Sequence, residues 1–150
     1  MSGNISRFPM FVDLRGKRCV IVGGGTVAAR RAEALAAFGG AVTIIAPEWM
    51  GAVPGVRWER RTYVPGDLAG AFLAVAATGD RMVNRRVGEE ARALGIPVSV
   101  ADCRDECSFF FPAICEGGGV TAGLISREGG DHALAARAAR AVRRTLEGLA

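Results

Sequence analysis

One lysine (Lys17), one histidine (His132) and one tyrosine (Tyr63) occur in 150 residues, and no Cys-x-x-Cys pair, internal repeat or low-complexity tract is present. No stretch approaches the roughly 20 uninterrupted apolar residues of a membrane-spanning helix, and Met1 to Pro9 lacks the apolar run of a signal peptide. The expectation is a cytoplasmic protein with no membrane partner. Cys19, Cys103, Cys107 and Cys115 are expected to be free thiols, Cys19 within a buried strand. Cys103, Cys107, Cys115 and His132 have usable ligand types but the wrong rhythm for a structural zinc site, so no metal is expected. The net charge of +4 is carried almost wholly by arginines scattered along the chain. Nucleic-acid binding calls for a dense basic stripe with interleaved aromatics, and is not expected. A small polyanionic ligand suits scattered arginines at least as well, because the guanidinium fork pairs carboxylates bidentately.

Half of the residues are hydrophobic, enough for one core and therefore one main domain with a short appendage. Arg18 to Val22 is a β-branched apolar run, and Gly23-Gly24-Gly25 follows it directly. Val27, Ala28, Arg31, Ala32, Leu35 and Phe38 then recur at helical spacing over Thr26 to Phe38, until Gly39-Gly40 ends the pattern. Ala41 to Ala46 forms a second buried-type strand closed by Pro47. The order strand, glycine turn, helix, strand is the βαβ unit of a dinucleotide-binding fold.

Prolines and glycines between Glu48 and Asp67 predict a connection with one edge strand around Val56 to Val64. Ala71 to Ala76 reads as a central strand, Arg81 to Leu94 as a helix and Pro97 to Val100 as a strand. Repeated alternation of this kind makes the fold class α/β, a Rossmann-type parallel sheet with helices on both faces. The texture changes after Asp102. Phe109 to Phe111 precede a strand over Val120 to Ile125 and a C-terminal helix from His132 to Leu149, which carries an apolar stripe opposite Arg137, Arg140, Arg143 and Arg144. The expected division is a nucleotide-binding domain over residues 1–112 and a small strand-helix dimerisation segment over 113–150.

Gly23-x-Gly25-x-x-Ala28 matches the dinucleotide fingerprint and stands between a strand and a helix start. Gly23 is suited to the tight turn, Gly25 to close approach of backbone and pyrophosphate, and Ala28 to helix–strand packing. Amides at the helix start, at the positive end of its dipole, would face the phosphates. The acid that usually binds the ribose should end the second strand, where Ala46-Pro47 stand and only then Glu48. Glu48 could equally take that role or begin the next loop in water. No arginine occupies positions 46 to 50 to receive a 2′-phosphate, which favours NAD over NADP.

Six segments in order resemble the precorrin-2 dehydrogenase family, also known as the N-terminal module of siroheme synthase. They are Phe8 to Lys17 (FPMFVDLRGK), Val22 to Ala28 (VGGGTVA), Ala76 to Asp80 with Val83 to Val87 (AATGD, VNRRV), Ile96 to Asp102 (IPVSVAD), Cys107 to Ala113 (CSFFFPA), and Ile125-Ser126 followed by Gly129. Departures are Ser99, where the family usually has asparagine, and Gly130-Asp131-His132, where it has a small residue, serine and proline. Of the helical C-terminal region with which members usually continue, one helix is expected here.

The resemblance implies NAD-dependent oxidation of precorrin-2, a tetrapyrrole, to sirohydrochlorin on the route to siroheme. It implies catalysis by Asp102, nucleotide contacts from Gly23, Gly25, Thr26, Val27, Ala46 and Pro47 with Thr78 and Asp80 near them, and Ser126 beside the substrate. It also implies a homodimer, for which the phenylalanine triplet is a candidate interface. Two alternatives stand: a non-catalytic NAD-binding or redox-sensing module, and a bifunctional enzyme that also inserts iron into sirohydrochlorin. Arg85, Arg86, Arg127 and Arg137 are the candidate partners for substrate carboxylates.

Overall fold

A computed structural model describes residues 5–149. Five parallel strands form one sheet in the order β3-β2-β1-β4-β5, where β1 is Arg18–Val22, β2 Ala41–Ile45, β3 Arg57–Glu59, β4 Leu73–Ala76 and β5 Val98–Val100. Helix α1 (Thr26–Ala37) joins β1 to β2 and α2 (Arg81–Ala93) joins β4 to β5. The two helices stop one residue short of the expected limits, since Phe38 and Leu94 are their C-caps.

The chain steps outward from β1 in one direction and from β4 in the other. Right-handed crossovers therefore put α1 and α2 on opposite faces. Burial agrees with this arrangement. Val20, Val22, Ala74, Ala76, Val98 and Val100 form one cluster with Val87 and Ala91 of α2. Their alternates Cys19, Ile21, Ile44 and Val75 are buried too, as are Ala28, Ala32 and Leu35 of α1. Strands covered on both faces have no solvent side to mark with polar residues, and that is why they read as unbroken apolar runs. Full burial contributes roughly 1.5–3 kcal/mol for each large branched side chain. Burial also pushes the Cys19 thiol up to about 11, leaving it protonated at neutral pH.

The edge strand β3 is shorter than expected. Its exposed Arg57 and Trp58 protect a free sheet edge. The chain then returns to β4 without a helix, through a loop braced by carboxylates. Asp67 accepts both Arg61 nitrogens, at 2.8 and 2.9 Å, and the Val64 amide at 2.8 Å. The Arg61 guanidinium holds the Asp67 carboxyl below the usual carboxylate range. Glu90 of α2 accepts the amides of Gly66 and Leu68, replacing partners that a helix would have supplied.

The chain divides into two compact units: Val12–Phe109, which holds the parallel sheet, and a second that joins the segment up to Phe11 with the chain from Phe110 onward. That grouping of the two ends does not follow sequence order. In the second unit β6 (Ala113–Gly117) and β7 (Val120–Leu124) form an antiparallel hairpin under α3 (His132–Glu147). Only β7 was expected. The glycines before it are the hairpin turn, with positive φ at both Gly118 and Gly119, as a type I′ two-residue loop requires. Asp131 caps α3 by accepting the Leu134 amide at 2.9 Å. Among the described residues no helix is long and apolar enough to cross a membrane.

Candidate functional site

In a doubly wound sheet the loops leaving diverging neighbours bound a crevice at their carboxyl ends, and here those neighbours are β1 and β4. Gly23, Gly24 and Gly25 leave β1 and lead directly into α1. Their roles differ. Gly23 has φ 127°, and a Cβ there would lie 2.2 Å from the Ala77 carbonyl oxygen, so both conformation and space demand glycine. At Gly24 a Cβ would fall 1.7 Å from the Glu48 carbonyl oxygen. Gly25 has an ordinary extended conformation and nothing within 4 Å of the Cβ position. The openness left by its missing side chain faces no part of the protein, so it is available to a ligand.

Gly24 is the position that the fingerprint left as a wildcard. It holds down the loop after β2: the Met50 amide donates to the Gly24 carbonyl at 2.9 Å, and the Ala46 Cβ lies 3.0 Å from where a Gly24 side chain would begin. Trp58 of β3 fixes the same loop from its far side, its indole N–H donating to the Ala46 carbonyl at 2.9 Å. Ala46 is buried, while Pro47, Glu48 and Thr26 are exposed and Val27 is half-buried. Neither Gly24 nor Trp58 was singled out from sequence.

The loop after β4 is fixed by a fully buried asparagine. Asn84 of α2 accepts the Thr78 amide at 3.0 Å through its side-chain oxygen, and its side-chain N–H donates to the Thr78 carbonyl at 3.1 Å. The Thr78 hydroxyl lies 2.7 Å from that same oxygen. A side-chain amide can satisfy a backbone donor and acceptor together, and burial makes the loss of either partner costly. Asp80 is the N-cap of α2, accepting the amides of Met82 at 2.9 Å and Val83 at 3.4 Å. Its carboxylate is thus engaged in holding the helix start beside Thr78.

Helices α2 and α3 are both capped by an aspartate, but α1 has no side-chain cap and no acid in its first turn. The first amides of a helix lack partners within it, and the dipole adds partial positive charge there. Beside the open space at Gly25, an uncapped helix start of this kind is suited to an anion such as a dinucleotide pyrophosphate. Gly23, Gly25, Ala46, Pro47, Thr78 and Asp80 lie on the three loops that meet around it, and Thr26 and Val27 open α1 itself. The residues present therefore fit a dinucleotide.

Asp102 follows β5 at the same end of the sheet and is exposed. Its Oδ1 accepts a guanidinium nitrogen of Arg81 at 2.7 Å, and the other terminal nitrogen of Arg81 pairs with Glu106. Desolvation pulls the Arg81 pKa down, yet the Glu106 hydrogen bond and the charges of Asp102 and Glu106 hold it above its ordinary value. Arg81 was not among the arginines singled out from sequence. Arg85 is paired instead with Glu89 on the surface of α2, at 3.1 Å. Ser126 belongs to the second unit, where its hydroxyl accepts the Asp131 amide at 2.9 Å ahead of α3. Among the described residues no group of three or more His, Cys, Asp or Glu side chains gathers to hold a metal ion.

The sequence model of a family described as "Putative NAD(P)-binding" matches residues 10–113. The chain belongs to this NAD(P)-binding family. Its relatives include the "Probable multifunctional siroheme biosynthesis protein HemA" of Ruminiclostridium josui, 40% identical over 144 residues, covering 92% of this chain and 28% of that protein. The siroheme synthase of Azotobacter vinelandii is 39% identical over 139 residues, covering 89% of this chain and 30% of that one. The chain thus spans less than a third of the length of these relatives. Among solved structures, one titled "SirC, precorrin-2 dehydrogenase" superposes with a TM-score of 0.75 at 26% identity, covering 93% of this chain and 71% of that one. These matches bear out both the Rossmann-type α/β fold and the resemblance that the six motifs carry within the NAD(P)-binding family.

Proposed function

We propose that this protein is an NAD-dependent precorrin-2 dehydrogenase, forming sirohydrochlorin for siroheme synthesis. The observation that carries the reading is the uncapped start of α1 beside the open Cβ position of Gly25, ringed by the loops after β1, β2 and β4. The relatives named for siroheme biosynthesis and the neighbour named precorrin-2 dehydrogenase support the choice of substrate.

Backbone amides of Thr26 and Val27 would hold the pyrophosphate, with Ala46 and Pro47 on the loop after β2 and Thr78 on the loop after β4 as the further residues that would contact the dinucleotide. NAD, when bound, supplies a hydride acceptor. The oxidation removes one hydride and one proton from the macrocycle, and Asp102 is the carboxylate that receives the proton. Ser126 is the candidate hydroxyl on the substrate side. Adding NAD and freshly made precorrin-2 to the pure protein is expected to raise NADH absorbance in step with the sirohydrochlorin spectrum. Nucleotide binding with no sirohydrochlorin formed would leave a non-catalytic NAD-binding module.

The same reading makes the active species a homodimer, with the nucleotide site in the sheet unit and the subunit contact in the hairpin-helix unit. A two-stranded hairpin under one helix is a thin core. That unit also leaves Phe8 86% and Phe11 74% exposed, apolar surface that a subunit contact would cover. Light scattering is expected to give twice the chain mass, and a monomer active at micromolar concentration would remove this part. Four free cysteines suit the reducing cytoplasm, where this chemistry is placed; recovery of the native protein in another compartment on cell fractionation would count against it.

A further inference from the structure

Arg81 occupies the first position of α2, where a cation opposes the helix dipole. Something must offset that arrangement, and two carboxylates do so. One terminal guanidinium nitrogen reaches Asp102 after β5 and the other reaches Glu106 on the single 3₁₀ turn Arg104–Glu106. Both ends of the bridge are anchored. Asp80 and Asn84 hold the start of α2 and the loop before it, while Arg92, lower on the same helix, donates to the Glu106 carbonyl at 3.1 Å. The Arg81 and Asp102 side chains are 41% and 38% exposed, and ion pairs that open to water add little to stability. The consequence of the bridge is therefore geometric: it limits the directions in which the Asp102 carboxylate can point.

We infer that Arg81 is a positioning residue for Asp102, holding its carboxylate in one orientation at the carboxyl end of the sheet with Glu106 as the second anchor. This rests on the reading of Asp102 as the catalytic carboxylate. Asp102 is followed in the chain by Cys103, Arg104, Asp105 and Glu106, and Arg81 reaches it from α2. Of these, Arg81 is the cation hydrogen-bonded to it.

The test is NAD-dependent oxidation of precorrin-2 by the full chain and by Arg81→Met, Arg81→Lys, Asp102→Asn and the double variant Arg81→Met with Asp102→Asn. Arg81→Met is expected to lower kcat about 10- to 100-fold. NAD affinity should stay within about two-fold, because the bridge lies outside the glycine turn. Arg81→Lys recovers part of the rate, keeping the charge but not the fork. Arg81→Met adds no further loss once Asp102 is already asparagine.

Wild-type kcat in Arg81→Met, with Asp102→Asn inactive, overturns the role of Arg81 and leaves Asp102 standing. Full activity in Asp102→Asn instead overturns the catalytic assignment beneath it. An equal fall caused by Arg81→Met in both backgrounds means Arg81 acts apart from Asp102, which also overturns the inference. Should Arg81→Met fold poorly, Glu106→Gln decides: a several-fold lower kcat at unchanged NAD affinity supports the bridge, and an unchanged kcat sinks it.

Discussion

Gly25→Val loses NAD binding by 100-fold or more, about 2.7 kcal/mol, while its melting temperature stays within a few degrees of the parent protein. The asymmetry follows from what surrounds the three consecutive glycines. At Gly25 the backbone is extended and a new Cβ meets no protein atom, so the folded chain accommodates the side chain. The only space it fills is that in front of the α1 amides, where a pyrophosphate would approach. Gly24→Ala is the control, because its Cβ collides with the Glu48 carbonyl and must displace the loop after β2. Calorimetric titration with NAD beside thermal melts separates the two. If Gly25→Val bound NAD as the parent does, the phosphate site would have to lie elsewhere.

Asp102→Asn lowers kcat for precorrin-2 oxidation by about 100-fold or more, with NAD affinity unchanged within about two-fold. Proton transfer by a placed side chain contributes typically 10²–10⁴-fold, and asparagine keeps the size of the carboxyl while removing its basicity. Asp102 stands on the loop after β5 and touches none of the three loops around Gly25 through any hydrogen bond described, so nucleotide binding should not respond. Single-turnover mixing of saturating NAD with precorrin-2 measures the step directly. Retention of full turnover would assign the proton to another group or to water.

The first βαβ unit was legible almost residue by residue. Its strands are buried on both faces, so apolar runs mark them without ambiguity, and its glycines punctuate a turn that only glycine can make at Gly23. Legibility fell where support comes from distant chain. Strand β3 is limited to three residues because the chain turns back at Arg61 to meet Asp67, and β6 carries no alternation apart from its partner β7. The site behaved likewise. Gly25 and Asp102 stand within motifs, whereas Gly24, Asn84 and Arg81 matter for what folds against them: the Glu48 carbonyl, the Thr78 backbone and two carboxylates 21 and 25 residues further on.

From sequence alone came the fold class, the nucleotide turn, the family and the carboxylate to test, because each depends on local pattern: periodicity, a glycine spacing and motifs in order. Only the folded chain decided which glycine excludes protein and which leaves room for a ligand. It also revealed that the α1 start is uncapped while its two companions are capped, and that Asp102 is held by a cation from the opposite end of its crossover. Those outcomes are set by close approaches between residues far apart in the chain, and no residue carries in its own identity a record of what will lie against it.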